Sequence, residues 1–208
     1  MARQESAVPR TAIARTARSR RTRGALVDAV RVELQATGSF TADLVAARAG
    51  CSTATFYSHF ATKDDALVAA FDLVLHDLAE QTTQLFTTSR LKDGLDGAIA
   101  ELVDRQAAFF RKESLVFRAA LARLPESRDL RNVYRQAEVA NLEHLRSVVS
   151  DAQSLGLIRV APADLLAEAI LVLAQGINNP RLLPPAAGNL RSEITTAILS
   201  IIGPRSAS

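Results

Sequence analysis

Small hydroxyl-bearing side chains are concentrated in one short stretch of the sequence, between Ser52 and Ser58. The outward residues of this stretch are neutral and mostly short: Thr53, Ala54, Thr55, Tyr57 and Ser58. A helix with such a face can sit deep in the major groove of DNA, where hydroxyls meet base edges or phosphates and methyl groups meet thymine. Recognition of double-stranded DNA is therefore the first chemistry that the sequence suggests.

Basic charge is concentrated at the start of the chain. Residues 1–23 hold seven arginines and one acidic residue, Glu5, a net charge of +6, whereas the whole chain of 208 residues carries +3. Since this segment has no sustained helical stripe, residues 1–21 are predicted to be a flexible basic arm. Such an arm is often only solvated, but the hydroxyl-rich stretch nearby favours DNA phosphates as its target. The arginines expected on DNA are Arg18, Arg20, Arg21 and Arg23.

Residue types that often take part in catalysis are not arranged in any known catalytic or metal-binding motif. The three histidines, His59, His76 and His144, lack metal-ligand spacing, and the sequence has no Gly-rich phosphate loop or nucleophile elbow. The one cysteine, Cys51, excludes an internal disulfide and is predicted to be an inert inward thiol rather than a redox sensor. We therefore expect no enzyme activity, no metal and no cofactor. The absence of a membrane-length apolar run and of a signal-peptide core predicts a cytoplasmic protein without membrane contact.

The elements that position these residues are predicted to be helices throughout. Ala and Leu dominate and Pro is sparse inside the long runs, which favours an all-α fold. Predicted N-caps are Thr41, Ser52 and Thr62, while Gly38 and Gly50 end the first two helices. The predicted helices cover residues 22–37, 42–49, 53–59, 63–85, 93–112, 115–124, 127–155, 163–178 and 189–202.

Two short helices joined by a tight turn that contains Gly form a helix-turn-helix arrangement. Ala46 permits a close helix crossing, and Gly50, four residues later, can adopt positive φ in the turn. With these features the run resembles the DNA-binding domain of TetR-family transcriptional regulators. The residues that carry the resemblance are Thr41, Val45–Ala46, Ala49–Gly50–Cys51–Ser52, Tyr57, His59–Phe60, Lys63–Asp64 and Leu67, and the one departure is Cys51, where an aliphatic residue is usual.

The resemblance implies a three-helix DNA-binding domain over residues 22–67 and a larger helical domain for ligand binding and dimerisation over 68–208. It implies a homodimer on a pseudopalindromic operator, released by a small-molecule inducer. It places Thr53, Ala54 and Thr55 nearest the bases. The residues implied at phosphates are Thr41, Tyr57, His59 and Lys63, and Ser52 and Ser58 complete the predicted DNA-binding set.

The inducer pocket is predicted where a polar residue stands in an otherwise apolar helix face, as Gln106 and Asn141 do. An apolar cavity with a few polar groups is what a small-molecule site needs. The alternative, aromatic residues that are ordinary core, stays open. The candidate ligand-binding residues are Phe86, Gln106, Phe109, Phe110, Phe117, Leu121, Tyr134 and Asn141.

The last two predicted helices have apolar faces broader than the core of one chain needs, which suggests a four-helix interface between two subunits. The leading interpretation is a ligand-responsive regulator, a repressor rather than an activator. Two alternatives stay open: an activator or architectural factor without ligand, and a helical enzyme or carrier whose N-terminal unit is only structural. The candidate interface residues are Leu166, Ile170, Leu173, Ile194, Ile198 and Ile201.

Overall fold

In a computed structural model, the structure of the protein is described for residues 10–204, with side chains from residue 16 onward. These residues form nine α-helices and no strand, and none of their helices is long and apolar enough to cross a membrane. The helices are α1 (Arg10–Thr37), α2 (Ala42–Arg48), α3 (Thr53–His59), α4 (Lys63–Leu85), α5 (Thr88–Asp93), α6 (Leu95–Arg123), α7 (Arg128–Ser154), α8 (Ala163–Gly176) and α9 (Gly188–Ile202), the last preceded by a 3-10 turn at Pro185–Ala187.

Helix α1 begins earlier than the sequence pattern suggested. It starts at Arg10 rather than near Thr22, so the prediction of a non-helical arm is wrong for residues 10–21. The physical reason is local propensity, because Ala and Arg favour helix and residues 10–22 contain neither Gly nor Pro. Residues 1–9, the rest of the predicted arm, lie outside the described residues. The helix ends as expected before Gly38, which has a φ of 76°.

The middle of the chain departs from the prediction at two places. The expected break at Ser114 is absent, and residues 95–123 form one helix, α6, since a single Ser costs little in a helix that is otherwise held by packing. A short helix that was not predicted, α5, begins after the Thr87 cap, whose side chain accepts a hydrogen bond from the Arg90 amide. Helices α7, α8 and α9 lie within two residues of their predicted bounds.

Helix α4 links the N-terminal unit to the rest of the molecule. It packs against α1, α6 and α7, while α1 also packs against α2 and α6. On the far side, α8 packs against α7 and α9 packs against α6. One continuous core of buried apolar residues therefore runs from the N-terminal helices into the larger C-terminal bundle.

Candidate nucleic-acid interface and ligand cavity

The turn between α2 and α3 is built by local hydrogen bonds. Helix α2 ends with two amide-to-carbonyl bonds, from Cys51 to Ala46 (2.9 Å) and from Gly50 to Ala47 (3.2 Å), the pattern of a Schellman motif. Gly50 has a φ of 68°, which only glycine adopts at little cost. Ser52 then caps α3 by accepting a hydrogen bond from the Thr55 amide. These contacts set the angle between the two helices, as the sequence predicted.

Helix α3 is held by one apolar side chain and presents the opposite face to solvent. Phe56 is fully buried, and its ring meets Phe60 at 5.5 Å. On the outer face Ala54, Tyr57 and Ser58 are exposed. The exposed face is thus neutral and can approach another surface closely.

Two of the residues predicted to lie nearest the bases have internal partners. The Thr53 hydroxyl donates to Asp43 of α2 at 2.6 Å, and the hydroxyls of Thr55 and Ser52 lie 2.9 Å apart. Both threonines remain partly exposed. These hydrogen bonds fix the side-chain rotamers of the α3 face before any ligand arrives.

Exposed cationic side chains lie at the start of α4, the helix that follows α3, and along α1. Lys63, at the first position of α4, is exposed with its Nζ 5.4 Å from the centroid of the Phe40 ring, a cation–π contact that offsets its position at the positive end of a helix. Arg23 lies over the Phe60 ring at 5.2 Å. Three more arginines, Arg18, Arg20 and Arg21, are exposed on α1.

The carboxylates near α3 are occupied by internal contacts. Asp43 accepts from Thr53, and Asp65 accepts from the Thr62 amide in a capping box. Asp64 pairs with Arg123 at the end of α6, at 3.2 Å. Of these three carboxylates only Asp64 is paired with a cation, whereas Asp43 and Asp65 accept hydrogen bonds from neutral donors and keep their negative charge.

Of the remaining predicted DNA-binding residues, one caps a helix and another is partly exposed. Thr41 caps α2 by accepting from the Leu44 amide at 3.2 Å. His59, the last residue of α3, is partly exposed. Cys51 is a partly buried free thiol that packs against the core.

A buried ionic network joins the N-terminal unit to the C-terminal bundle. The Arg31 guanidinium of α1 contacts Glu113 of α6 and Asp77 of α4, each at 2.6 Å, and Gln35 donates to the same Glu113 oxygen at 2.8 Å. Glu113 is fully buried. Burial by itself lowers the pKa of Arg31, but the hydrogen bonds and charges of Glu113 and Asp77 outweigh it and leave the pKa raised. Arg31 therefore stays cationic and ties three helices together.

A cavity of about 80 Å³ lies between α4, α6, α7 and α8. Five of the eight predicted ligand-binding residues line it, namely Phe110, Phe117, Leu121, Tyr134 and Asn141. The sequence reading did not include its other walls, which are Leu75, Leu78, Ala79, Ala137, Glu138, Leu171, Gln175 and Asn178. The cavity is mostly apolar with a few polar groups, the composition of a small-molecule site.

The cavity adjoins a wider groove. A space of about 760 Å³ lies between α6 and the segment that connects α8 to α9, and it shares Phe117, Leu121 and Asn178 with the cavity. Apolar residues of the connecting segment, Leu183 and Pro184, form one wall. A ligand larger than the cavity can therefore extend into the groove.

Three predicted ligand-binding residues do not line this cavity. Gln106 is buried and its Nε2 lies 3.4 Å from the Thr82 hydroxyl, and Phe86 lies in the same apolar layer against α8 and α9. The void beside them measures only about 10 Å³. Phe109 meets Phe110 edge-on but does not line the cavity. The structure separates these three residues from the cavity: the rotation of α6 directs Gln106 and Phe109 to other neighbours, and Phe86, the residue that ends α4, lies against α8 and α9.

No protein-family model and no curated protein matches the sequence. A solved structure from Mesorhizobium loti, described as a TetR-family transcriptional regulator, has a TM-score of 0.74 at 18% identity, over 89% of this chain and 98% of that chain. A transcriptional regulator from Saccharomonospora viridis in complex with choline has a TM-score of 0.68 at 20% identity, over 91% and 100%. The SmeT–triclosan complex has a TM-score of 0.64 at 18% identity, over 88% and 91%.

The chain has the TetR fold. At these identities the likeness is one of fold, and it covers the helix-turn-helix unit together with the larger helical domain. The predictions of an all-α chain and of a TetR-type architecture are confirmed.

Helices α8 and α9 of this TetR fold divide their apolar residues between the core and the surface. Leu166, Ile170 and Ile198 are at most 5% exposed in the single chain, so their predicted place in a dimer interface is wrong. They face inward because α8 and α9 must each cover the bundle of the same chain. The other three predicted interface residues are partly exposed and stay candidates for a dimer interface: Leu173, Ile194 and Ile201. Two more apolar residues of α8 are exposed: Leu165 (63% exposed), which belongs to the apolar face seen in the sequence, and Val172 (65%), which the sequence pattern did not indicate.

Among the residues that the sequence reading missed, Glu138 could have been found. It lies on α7 four residues after Tyr134 and three before Asn141, the spacing of one helix face. Its neighbour Gln175 and the pair of Arg31 with Glu113 gave no such signal, because their partners lie 37 and 82 positions away in the chain.

Proposed function

We propose that the protein is a transcription regulator that binds operator DNA as a homodimer through α3 and releases it when a small molecule occupies the cavity. The observation that carries the proposal is the neutral, exposed face of α3, with Lys63 exposed at the start of the next helix and Arg23 of α1 over the ring of Phe60, which ends α3. Phosphates attract the cations, and the short side chains of α3 allow entry into the major groove. Such a protein would act in the cytoplasm as a repressor.

In this proposal the DNA-binding residues keep the roles expected above. Tyr57, Lys63, Thr41 and His59 contact phosphates, while Thr53, Ala54 and Thr55 lie nearest the bases. Arg18, Arg20, Arg21 and Arg23 add phosphate contacts from the side of α1, and Ser52 and Ser58 flank the α3 face.

The homodimer is supported by the exposed apolar residues of α8. Leu165 and Val172 lie seven positions apart, with the partly exposed Ala169 between them, which places them on one helix face. Leu173 of α8 and Ile194 and Ile201 of α9 can extend this face. Pairing of such faces about a two-fold axis would remove them from water.

Control by a ligand is supported by the position of the ionic network relative to the cavity. On α4, Asp77 lies between the cavity residues Leu75 and Leu78, and on α6, Glu113 lies between Phe110 and Phe117. A ligand that shifts α4 against α6 would thus alter both contacts to Arg31 on α1. Such coupling requires tighter ligand binding to the conformation that does not bind DNA, and typically changes affinity by about 5- to 150-fold.

The structural neighbours that carry triclosan or choline support the use of this fold for small molecules, and the cavity favours a ligand-responsive regulator over an architectural factor. For the enzyme or carrier alternative, we found no group of His, Cys, Asp and Glu in the described residues that could hold a metal.

The test is to select DNA fragments bound by the protein and then to measure the affinity of Lys63→Ala for the selected site at several salt concentrations. Loss of one phosphate contact should weaken binding to every sequence and reduce the salt slope by about one. Tyr57→Phe should also weaken binding without changing the preferred sequence. Lys92→Ala, an exposed lysine of α5, is the matched control and should behave as wild type. A changed base preference in Lys63→Ala, or no selected site at all, would contradict the proposal.

A further inference from the structure

The cavity has one charged side chain in its wall, Glu138. Its Oε1 accepts a hydrogen bond of 2.6 Å from Nε2 of Gln175, a neutral partner. Within the described residues Glu138 forms no salt bridge with a Lys, Arg or His. A carboxylate beside an apolar wall is costly to desolvate unless a cation compensates it. Within the described residues the carboxylate of Glu138 thus has a neutral hydrogen-bond partner but no cationic side chain to compensate its charge.

Aromatic rings surround the space next to this carboxylate. Phe110 and Phe117 meet edge to face at 5.1 Å, and both line the cavity with Tyr134. Phe71, which is fully buried, holds this arrangement from behind by stacking on Tyr134 and meeting Phe117 edge-on at 5.4 Å. Aromatic faces attract organic cations, most strongly where water is excluded. The aromatic rings and Glu138 thus both favour a positively charged ligand.

The surroundings of the Tyr134 hydroxyl change its pKa. Burial raises the pKa of Tyr134, and the negative charge of Glu138 raises it further. Tyr134 therefore stays neutral at physiological pH, and it adds a hydrogen-bonding group without adding a second charge. Glu138 is thus the one charged side chain in the cavity wall.

The volume of the cavity and the lining of the adjoining groove indicate the shape of the ligand. An apolar cavity of roughly 150 Å³ can hold benzene, so the space of about 80 Å³ accepts only a compact head group. The groove offers Leu183, Pro180 and Pro184 for an apolar tail. The cations of the groove, Arg111 and Arg118, disfavour a positive head at that end. A cationic ligand would therefore point its head at Glu138 and its tail into the groove.

We propose that the ligand of this site is an organic cation with a compact charged head, held by Glu138 and the aromatic rings, and an apolar tail that lies in the groove. This inference rests on the proposed function only in treating the cavity as the inducer site. The recognition chemistry itself can be measured on the free protein without DNA.

The test uses three probes that share one tail and differ in the charge of the head: octyltrimethylammonium, 1-octanol and octanesulfonate. Binding to the full chain is measured by calorimetry below the micellar concentration of each probe. Wild-type protein should prefer the cation. Glu138→Gln, which keeps a side chain able to bond Gln175, should weaken cation binding by about tenfold, since the pair is partly screened by solvent. Binding of 1-octanol should change by less than about twofold, which also verifies folding.

Glu143→Gln is the matched control, because Glu143 is an exposed carboxylate of the same helix and does not line the cavity. It should bind all three probes as wild type does. Preference for the sulfonate would assign recognition to Arg111 and Arg118 and overturn the proposal. Equal cation affinity in wild type and Glu138→Gln, or no binding of any probe, would overturn it as well.

Operator binding without probe separates this inference from the proposed function. Normal DNA binding in a protein that binds no probe defeats the cation site and leaves the regulator standing. If cation binding depends on Glu138 but leaves the affinity for operator DNA unchanged, the cation site is supported. Its role as the inducer site is then contradicted.

Discussion

The helix-turn-helix unit and the C-terminal bundle place their decisive polar contacts at very different sequence separations. In the first, Thr41, Ser52 and Thr62 each cap a helix by accepting from an amide three positions later. In the second, Glu138 bonds a residue 37 positions away. Arg31, which joins the two regions, bonds Glu113 across 82 positions. One region is thus specified by neighbours in sequence and the other by the packing of distant helices.

This difference shows why the two regions can serve different purposes. Local caps hold the α3 face in one conformation, as required of a surface that must match DNA. Contacts between distant helices change when the helices shift, and a site that responds to a ligand needs such a change. The separation of local and distant contacts can be tested by breaking one contact of each kind.

The largest effect is expected at the distant contact between the regions. Arg31→Met removes the close cation of the fully buried Glu113, leaving only Lys112 at 4.0 Å, and should lower the free energy of unfolding by about 3–5 kcal/mol, measured by urea denaturation. Adding Glu113→Leu to this variant should restore much of the loss, because the unpaired charge is then removed.

The control for Arg31 is Arg105→Met, which breaks an exposed pair with Glu101 within one helix and should cost less than about 1 kcal/mol. A similar loss in Arg31→Met and Arg105→Met would show that the network does not hold the two regions together.

A smaller effect is expected at a local feature of the helix-turn-helix unit. Gly50→Ala forces a side chain into the left-handed region, with no neighbouring atom within 4 Å of the new Cβ, so backbone strain alone should cost about 1–2 kcal/mol. Hydrogen exchange should show the loss mainly in α2 and α3. Gly97→Ala, in the first turn of α6 with an equally open Cβ position, should cost nothing or stabilise slightly. Faster exchange throughout α6 and α7 in Gly50→Ala would contradict the local character of this contact.

The smallest effect concerns the cavity charge. In a Tyr57→Phe background Tyr134 is the one remaining tyrosine, and its pKa can be followed by ultraviolet absorbance. Glu138→Gln should lower the pKa of Tyr134 but leave it above the ordinary value near 10, since burial is the larger cause of the raised pKa and the charge of Glu138 the smaller one. The raised pKa stabilises the fold below about pH 10, and this contribution is lost as the pH rises through the folded pKa. An unchanged pKa in Glu138→Gln would place the carboxylate too far away to act on the cavity.

The sequence predicted the helix-turn-helix unit in detail because its signals are local. The caps at Thr41, Ser52 and Thr62 and the positive φ of Gly50 lie where the pattern placed them. The cavity was predicted only in part. Helical periodicity shows which residues share a face but not which helix that face meets, so Phe117 and Tyr134 line the cavity whereas Phe86 and Gln106 lie elsewhere.

By itself, then, the amino-acid sequence determined the helical class, the caps, the tight turn and the neutral face of α3, since each depends on residues within about four positions of one another. Only the tertiary structure decided that Leu166 and Ile198 cover the core of their own chain while Leu165 and Val172 stay exposed. It also decided that Glu138 meets Gln175 at an aromatic cavity and that Arg31 meets Glu113. These contacts depend on the rotation and crossing of whole helices, which are set by the summed packing of many side chains and not by any short segment.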